Sequence, residues 1–360
     1  MSPLATTQLA LPSSLAGPSA LAAAFALPHS AFALPPPSNA TADTAASLVK
    51  YWHANASGIS GIGNLNWTTS DPFGGAHGGN ESLRVHYPAG TRDGAQFSMN
   101  LFNTGAGGTG ARTAAPVQTA VLSYEVAFDA EFDWVKGGKL PGLYGASPNA
   151  TSICTGGNHQ PDCFSARLMW RNRGLGEVYA YIPSYDGFCR QSDVLCNQEF
   201  GTSLSRGTFS FARGGWTRIT QLVSLNTPGY ANGLLVLYAN DTLALAQTGL
   251  AYRVSSNVTL TSVLFSTFFG GSDASWDSTG GEAWFRNFAV WYGPNASNTT
   301  GPAVNATFSS SDSSSNSPSA SSSSSSASAT STRHSRGHVT TPLHSATLLA
   351  LLLAVLVLFA

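Results

Sequence analysis

Lysine is scarce in this chain, three in 360 residues, and two of the three, Lys136 and Lys139, fall in the stretch DWVKGGKLPGLYG at residues 133–145. The glycines beside them make the stretch read as a loop. From Lys136 to Arg173 the cations Lys136, Lys139, Arg167, Arg171 and Arg173 stand against a single acid, Asp162. In a chain of formal net charge -1 that imbalance is a focused positive patch, suited to an anionic ligand.

What such a patch can do depends on its neighbours. CFSARLMWR and EVYAYIP both alternate with period two, the signature of strands. Phe164, Ala166, Leu168 and Trp170 share one parity and point to a core, which leaves Ser165, Arg167, Met169 and Arg171 on the opposite face. In the second strand Val178, Ala180 and Ile182 are the buried set, so Tyr179 and Tyr181 face outward with the serine and arginines. A three-residue loop of Asn172, Arg173 and a left-handed Gly174 pairs Arg167 with Tyr179 and Ser165 with Tyr181. Outward polar residues are also what any half-solvated sheet shows, and Tyr opposite Arg is an ordinary cross-strand pair. The charge imbalance is what favours a site.

Lysine, arginine, serine and two tyrosines around an acidic sugar suit β-elimination. The C5 proton of a uronic acid becomes acidic only when the charge building on its C6 carboxylate is neutralised, a role for a cation and hydroxyl donors. A base must then take that proton and an acid must protonate the departing O4. Lysine and tyrosine both ordinarily titrate near pH 10, so the base has to be pulled down by nearby positive charge or by desolvation. Either residue type can serve as the base, and the sequence leaves the order of base and acid open. Arg171, four residues beyond Arg167 on the same face, is placed for a neighbouring sugar.

The elements that position these residues are short strands. Hydrophobic residues make up 42% of the chain, enough for a core, while 37 glycines and 19 prolines favour many turns over long helices. Period-two alternation recurs in VLSYEVAFDAEF, WTRITQLVSL, GLLVLYAN, SVLFSTFF and EAWFRNFAVWY. The expected fold is all-β, an antiparallel two-sheet sandwich of the jelly-roll kind, over residues 45–293. With only 10% charged residues, no broad basic face is available and nucleic acid is excluded as a partner.

Both ends read as processing segments. Residues 1–38 hold an apolar stretch and a small-residue site at Ala31–Ala33, a weak secretion signal without a basic start and interrupted by prolines. Residues 294–335 are serine-rich with little to bury, a stalk. Residues 336–360 end in TLLALLLAVLVLFA, 14 uncharged residues, short of the roughly 20 that span a bilayer; with the polar spacer before them they fit a lipid-anchor signal, the expected tie to a membrane. Ten acceptor sequons, at Asn39, Asn55, Asn66, Asn80, Asn149, Asn240, Asn257, Asn295, Asn298 and Asn305, point to a glycosylated surface outside the cell. Four cysteines allow three connectivities, of which the local pairs Cys154–Cys163 and Cys189–Cys196 are favoured. His159 lies between two of those thiols, but a fourth ligand is not evident, so neither metal nor cofactor is expected.

GGKLPG, SAR, VYAYIP, FSTFFGGSDASW and WFRNFAVW together resemble the polysaccharide lyase family 14 domain, which includes alginate and glucuronan-type lyases, over about Leu83 to Tyr292. The resemblance implies a jelly roll that cleaves uronic-acid polymers. It implies Lys139, Tyr179 and Tyr181 as catalytic residues and Ser165 and Arg167 as holders of the uronate carboxylate. Lys136 receives no role from it. Two rival readings remain. Asp129 and Glu131, about 6.7 Å apart along a strand, satisfy the carboxyl spacing of a glycoside hydrolase. A lectin-like module binding acidic polysaccharide without cutting it needs the arginines but has no use for the lysine. Trp134 and Tyr144 are candidates to stack on sugar rings, and His77 and His86 are the remaining candidates for acid-base work.

Overall fold

The computed structural model describes residues 10–36, 43–73, 81–102, 115–151, 153–197 and 199–308. Alternating apolar residues put one side of each strand into a shared core, and two antiparallel sheets result. The back sheet runs β13 (Thr242–Leu250), β12 (Gly233–Ala239), β11 (Gly215–Ser224), β5 (Thr119–Phe128), β15 (Gly281–Gly293), β3 (Ser82–Tyr87), β2 (Leu65–Thr68), with β1 (His29–Ala33) also paired to β15. The front sheet runs β4 (Ala95–Met99), β14 (Thr259–Phe269), β6 (Gly137–Ala146), β7 (Cys163–Arg171), β8 (Gly176–Tyr181), β10 (Thr202–Leu204), β9 (Val194–Leu195). The chain is the all-β jelly-roll sandwich that the alternation predicts.

Aromatic rings fill the space between the sheets. Phe128, Phe132, Trp170 and Phe269 meet at centroid distances of 4.7 to 5.8 Å. Each is buried to within 1% of its surface, a contribution of about 2 to 3 kcal/mol per ring. Trp170 anchors the front sheet to this cluster and thereby fixes β7, the strand that carries the arginines.

Both ends of the described chain are docked on the sandwich. Residues 10–36, inside the segment read as a signal and extension, are built into the back sheet. β1 takes five residues of ladder against β15, and α1 (Pro18–Ala24) lays Leu21 and Ala22 on Val121, Leu222, Leu234, Val236 and Tyr238. Without this cover those five side chains form an apolar patch, which is the physical reason the segment folds back. α2 (Thr44–Tyr51), capped by the Asp43 side chain, seals the edge near β2. At the other end the chain does not leave the sandwich at 293. Residues 294–308 stay docked: Ala231 donates to Pro302, Val304 to Gly229, and Ser184 and Thr307 exchange two backbone hydrogen bonds. The rest of the serine-rich stalk and the hydrophobic C-terminus lie outside the described residues. No helix among the described residues is long and apolar enough to cross a membrane.

Candidate active site

The residues singled out by charge and parity converge on the outer face of the front sheet, on its central strands. β7 and β8 pair in the expected register, Arg167 with Tyr179 and Ser165 with Tyr181. Residues 172–174 form the turn, and not only Gly174 but also Arg173 takes the left-handed conformation, with φ of 76° and 62°. A non-glycine residue there costs some strain, which the ladder on both sides offsets.

Lys139 is not in a loop. It lies within β6, opposite Met169 of β7 and Phe268 of β14. Glycine next to it reflects close packing rather than a turn: a Cβ on Gly138 would lie 2.1 Å from the Trp170 ring. Between Leu140 and Leu143 the β6–β7 register slips by one residue, at Pro141 and Gly142. Proline cannot donate to the ladder, so a bulge is where a strand tolerates it. The slip reverses parity and brings Lys139 and Tyr144 onto the same outer face.

These side chains surround a cavity of about 500 Å³ whose lining includes Lys139, Arg167, Arg171, Tyr179 and Tyr181. Arg167 is completely buried, and among the described residues its Nε and Nη2 have no hydrogen-bond partner while Nη1 donates to Ser266 Oγ at 3.2 Å. Burial pushes this guanidinium down to about 10, still a cation at neutral pH. Lys139 is 9% exposed. Its Nζ donates to Met169 Sδ at 2.8 Å and sits 3.7 Å above the Tyr179 ring centre. Burial, with repulsion from Arg167 and Arg171, pushes the amine well below the usual lysine range. The phenols move the opposite way. Burial raises Tyr181 and pushes Tyr179 up to about 12. Tyr181 Oη accepts the Gly157 N–H at 2.9 Å, and the hydroxyl's own proton has no acceptor among the described residues.

Ser165 departs from expectation. Its parity is right, yet the loop closed by the Cys154–Cys163 disulfide folds over it. Ser165 is fully buried and donates to the Cys154 carbonyl at 2.7 Å, outside the cavity lining. It therefore holds the loop that presents Gly157 to Tyr181, rather than meeting a carboxylate directly. The favoured local disulfides are both present, Cys154–Cys163 and Cys189–Cys196. His159, expected between two thiols, packs on Tyr181 at 5.1 Å and on Phe308 at 6.1 Å.

Arg171 faces the cavity but is not a free cation. Its Nε and Nη2 both reach Glu177 Oε1, at 2.7 and 2.5 Å. Glu177 lies four residues beyond the window in which charges were counted, which is why the sequence reading missed it. It also missed Arg206, which binds the other carboxylate oxygen, and Trp276, a ring on the cavity wall. Lys136 donates to Ser275 Oγ and lies 5.7 Å over Trp276, so it ties down that wall. Trp134 belongs to the core, against Phe128 and Phe132, and Tyr144 is buried beside Cys154 and Cys163. His86 is on the back sheet beside Glu282, and His77 lies outside the described residues.

A family model for polysaccharide lyase 14 matches residues 76–288. This chain belongs to the polysaccharide lyase 14 family. Its fold is similar to the crystal structure of the marine PL-14 alginate lyase from Aplysia kurodai, 28% identical, with a TM-score of 0.62 over 74% of this chain and 99% of that one. It is also similar to the alginate lyase Aly36B, at 18% identity and a TM-score of 0.53, over 74% of this chain and 97% of that one. A mutant of Aly36B in complex with an alginate trisaccharide matches at 18% identity and a TM-score of 0.55, over 74% and 99% of the two chains. At 18% the likeness speaks for the fold alone. No curated protein matches the chain.

A polysaccharide lyase needs no carboxyl pair, and the pair read as a hydrolase site is not one. β5 ends at Phe128, so Asp129 and Glu131 do not share a strand face. Asp129 instead accepts the Glu282 N–H at 2.7 Å, on the back sheet. The reading as a module that binds without cutting gives way with it, since the chain is a lyase by family.

Proposed function

We propose that this lyase cleaves uronic-acid polymers by β-elimination, with Arg167 as the carboxylate holder, Lys139 as base and Tyr181 as acid. The observation that carries the reading is Arg167: a guanidinium buried with no carboxylate among the described residues to answer it and two of its nitrogens unpartnered there, on the wall of a cavity. Buried polar groups are almost always satisfied, so orphaned donors on a residue of the cavity wall are donors reserved for a ligand, and the ligand that matches them is an anion.

The environments push the titrating groups apart, and that orders the steps. Lys139, whose amine burial and Arg167 push toward the neutral form, takes the C5 proton of the uronate. As it becomes charged, the Tyr179 ring 3.7 Å beneath it favours the new ammonium. Electrons from the C5–H bond form the C4=C5 double bond and the C4–O4 bond breaks. Tyr181, protonated because burial raises it, delivers its proton to O4 while the Gly157 N–H steadies the phenolate left behind. Arg167 carries the growing charge on the carboxylate throughout. Arg171 assists from the next position, and Ser165 acts at one remove through the 154–163 loop.

The test is incubation with a panel of uronide polymers while ultraviolet absorbance is followed. A rise marks the unsaturated product. New reducing ends without a rise would mean hydrolysis, and neither would leave only binding.

The same reading places the protein outside the cell, secreted or held at the surface by its C-terminal anchor. Eight sequon asparagines, Asn55, Asn66, Asn149, Asn240, Asn257, Asn295, Asn298 and Asn305, are all exposed, which supports a glycosylated surface. Two disulfides support an oxidising compartment. Enzymatic removal of N-glycans from protein made in a eukaryotic secretory host should lower its mass; an unchanged mass counts against export by this route.

A further inference from the structure

Glu177 is a carboxylate in an unusual place. It is completely buried in β8, on the outer face of the front sheet, directly opposite Met169, which in turn holds the Lys139 amine. It does not line the cavity, so it is no candidate to exchange protons with a substrate. Its two oxygens are divided between two arginines. Oε1 takes Nε and Nη2 of Arg171, and Oε2 takes Arg206 Nε and Ser203 Oγ, each at 2.5 Å.

The two arginines differ in what is left over. The Arg171 side chain is 15% exposed and spends two nitrogens on Glu177. The Arg206 side chain is 39% exposed, spends only Nε, and its Nη1 and Nη2 make no hydrogen bond to the described residues. Arg206 lines the same cavity as Lys139 and Arg167. Clamping Nε fixes the guanidinium plane and leaves the outer edge, the fork that fits a carboxylate with two parallel N–H bonds. Glu177 lies on β8, two strands over from Lys139 on β6, which is about 10 Å at about 4.8 Å per strand. The carboxylate of the reacting sugar is already answered by Arg167. Arg206 follows β10, one strand beyond β8, so its free edge meets a different sugar of the same polymer.

From this geometry we infer that Arg206 is a substrate-binding residue that holds the carboxylate of a second uronate, and that Glu177 is the positioning residue that aims it. The inference rests on the uronide reading above and deepens it. The site then requires acidic sugars in series, because an uncharged neighbour leaves the Arg206 fork without a partner. Guanidinium held by a buried carboxylate is also pre-organised, so little freedom is lost when the polymer docks.

The test is steady-state kinetics of Arg206→Ala and Arg206→Lys on the polymer that gives wild type its ultraviolet rise. Arg206→Ala should raise KM about tenfold with kcat changed less than about twofold, the mark of an interaction made equally in ground and transition states. Arg206→Lys should recover part of the loss, since charge is kept and the fork is not. Glu177→Gln should raise KM in the same direction and also move the acid limb of the rate profile to lower pH, because the carboxylate favours the charged form of Lys139. A purely structural role for Glu177 would not move that limb. The Arg206 side chain is 39% exposed, and Arg171 and Ser203 stay on Glu177 in its variants, so these fold even if Glu177→Gln does not. KM for Arg206→Ala within twofold of wild type overturns the inference. If wild type gives no unsaturated product on any uronide, the lyase chemistry proposed above fails separately. Calorimetric Kd values for the same polymers then decide the subsite: weaker binding by Arg206→Ala supports it, and equal binding by both proteins overturns it.

Discussion

Lys139→Met and Lys139→Ala are expected to lower kcat by about 10² to 10⁴, the span that general base catalysis contributes, with the fold retained. The wild-type rate should rise with pH through the lowered value of the Lys139 amine, because only the neutral form has a lone pair for the C5 proton. It should stay high until Tyr181, raised by burial, begins to lose its proton. Stability supplies an independent check. Unfolded lysine titrates near 10.4, whereas in the folded chain Lys139 releases its proton at lower pH. Between those two values the unfolded state binds more protons, so wild-type stability rises with pH across that window. Lys139→Met removes the penalty and should melt no lower than wild type at neutral pH, with the difference shrinking toward alkaline pH. Turnover within tenfold of wild type in either variant would sink the assignment. A large fall in Tm would instead show that the lysine serves the fold.

Arg167→Met should cost about 10² to 10³ in kcat/KM, comparable to losing a preorganised donor that meets developing negative charge. It should do so without unfolding the protein. The Arg167 Nε and Nη2 have no partner to lose, and an apolar chain of similar length in that fully buried space removes a desolvated charge. Arg171→Met makes the contrast. It removes both nitrogens from Glu177 Oε1 and leaves a buried carboxylate half answered, at about 3 kcal/mol, the low end of such losses because Arg206 and Ser203 remain on the other oxygen. Neighbouring arginines on one strand face thus separate: one should be dispensable for stability and needed for turnover, the other needed for stability. Circular dichroism melts beside absorbance assays read both. Arg167→Met with wild-type kcat/KM, or with a melt as damaged as that of Arg171→Met, would contradict the division.

Alternation in CFSARLMWR and EVYAYIP was enough to assign faces, because side chains of a strand point to opposite sides every residue and the buried set is unambiguous. The turn at 172–174 then determined the pairing, since a three-residue loop admits one register. From those two local rules Arg167, Tyr179 and Tyr181 fall together as observed. The family motifs and the local disulfides were legible for the same reason, being short-range features of the chain. What lay outside reach depended on contacts between distant segments. Lys139 reaches the arginines only because β6 inserts between β14 and β7 and slips register at Pro141 and Gly142, and neither sheet order nor a bulge is written in one strand's pattern. Ser165 carries the right parity but is sealed by a loop whose packing parity does not describe. Glu177 and Arg206 are 29 residues apart and become partners only across β8 and the end of β10. Residues 10–36 read by composition as part of a processing segment and are held by apolar surface on β5, β11 and β12 that the sequence around them does not reveal. Period and turn chemistry are local energies, so the chain states them; burial and charge pairing are sums over the folded neighbourhood, and only the tertiary structure decides those.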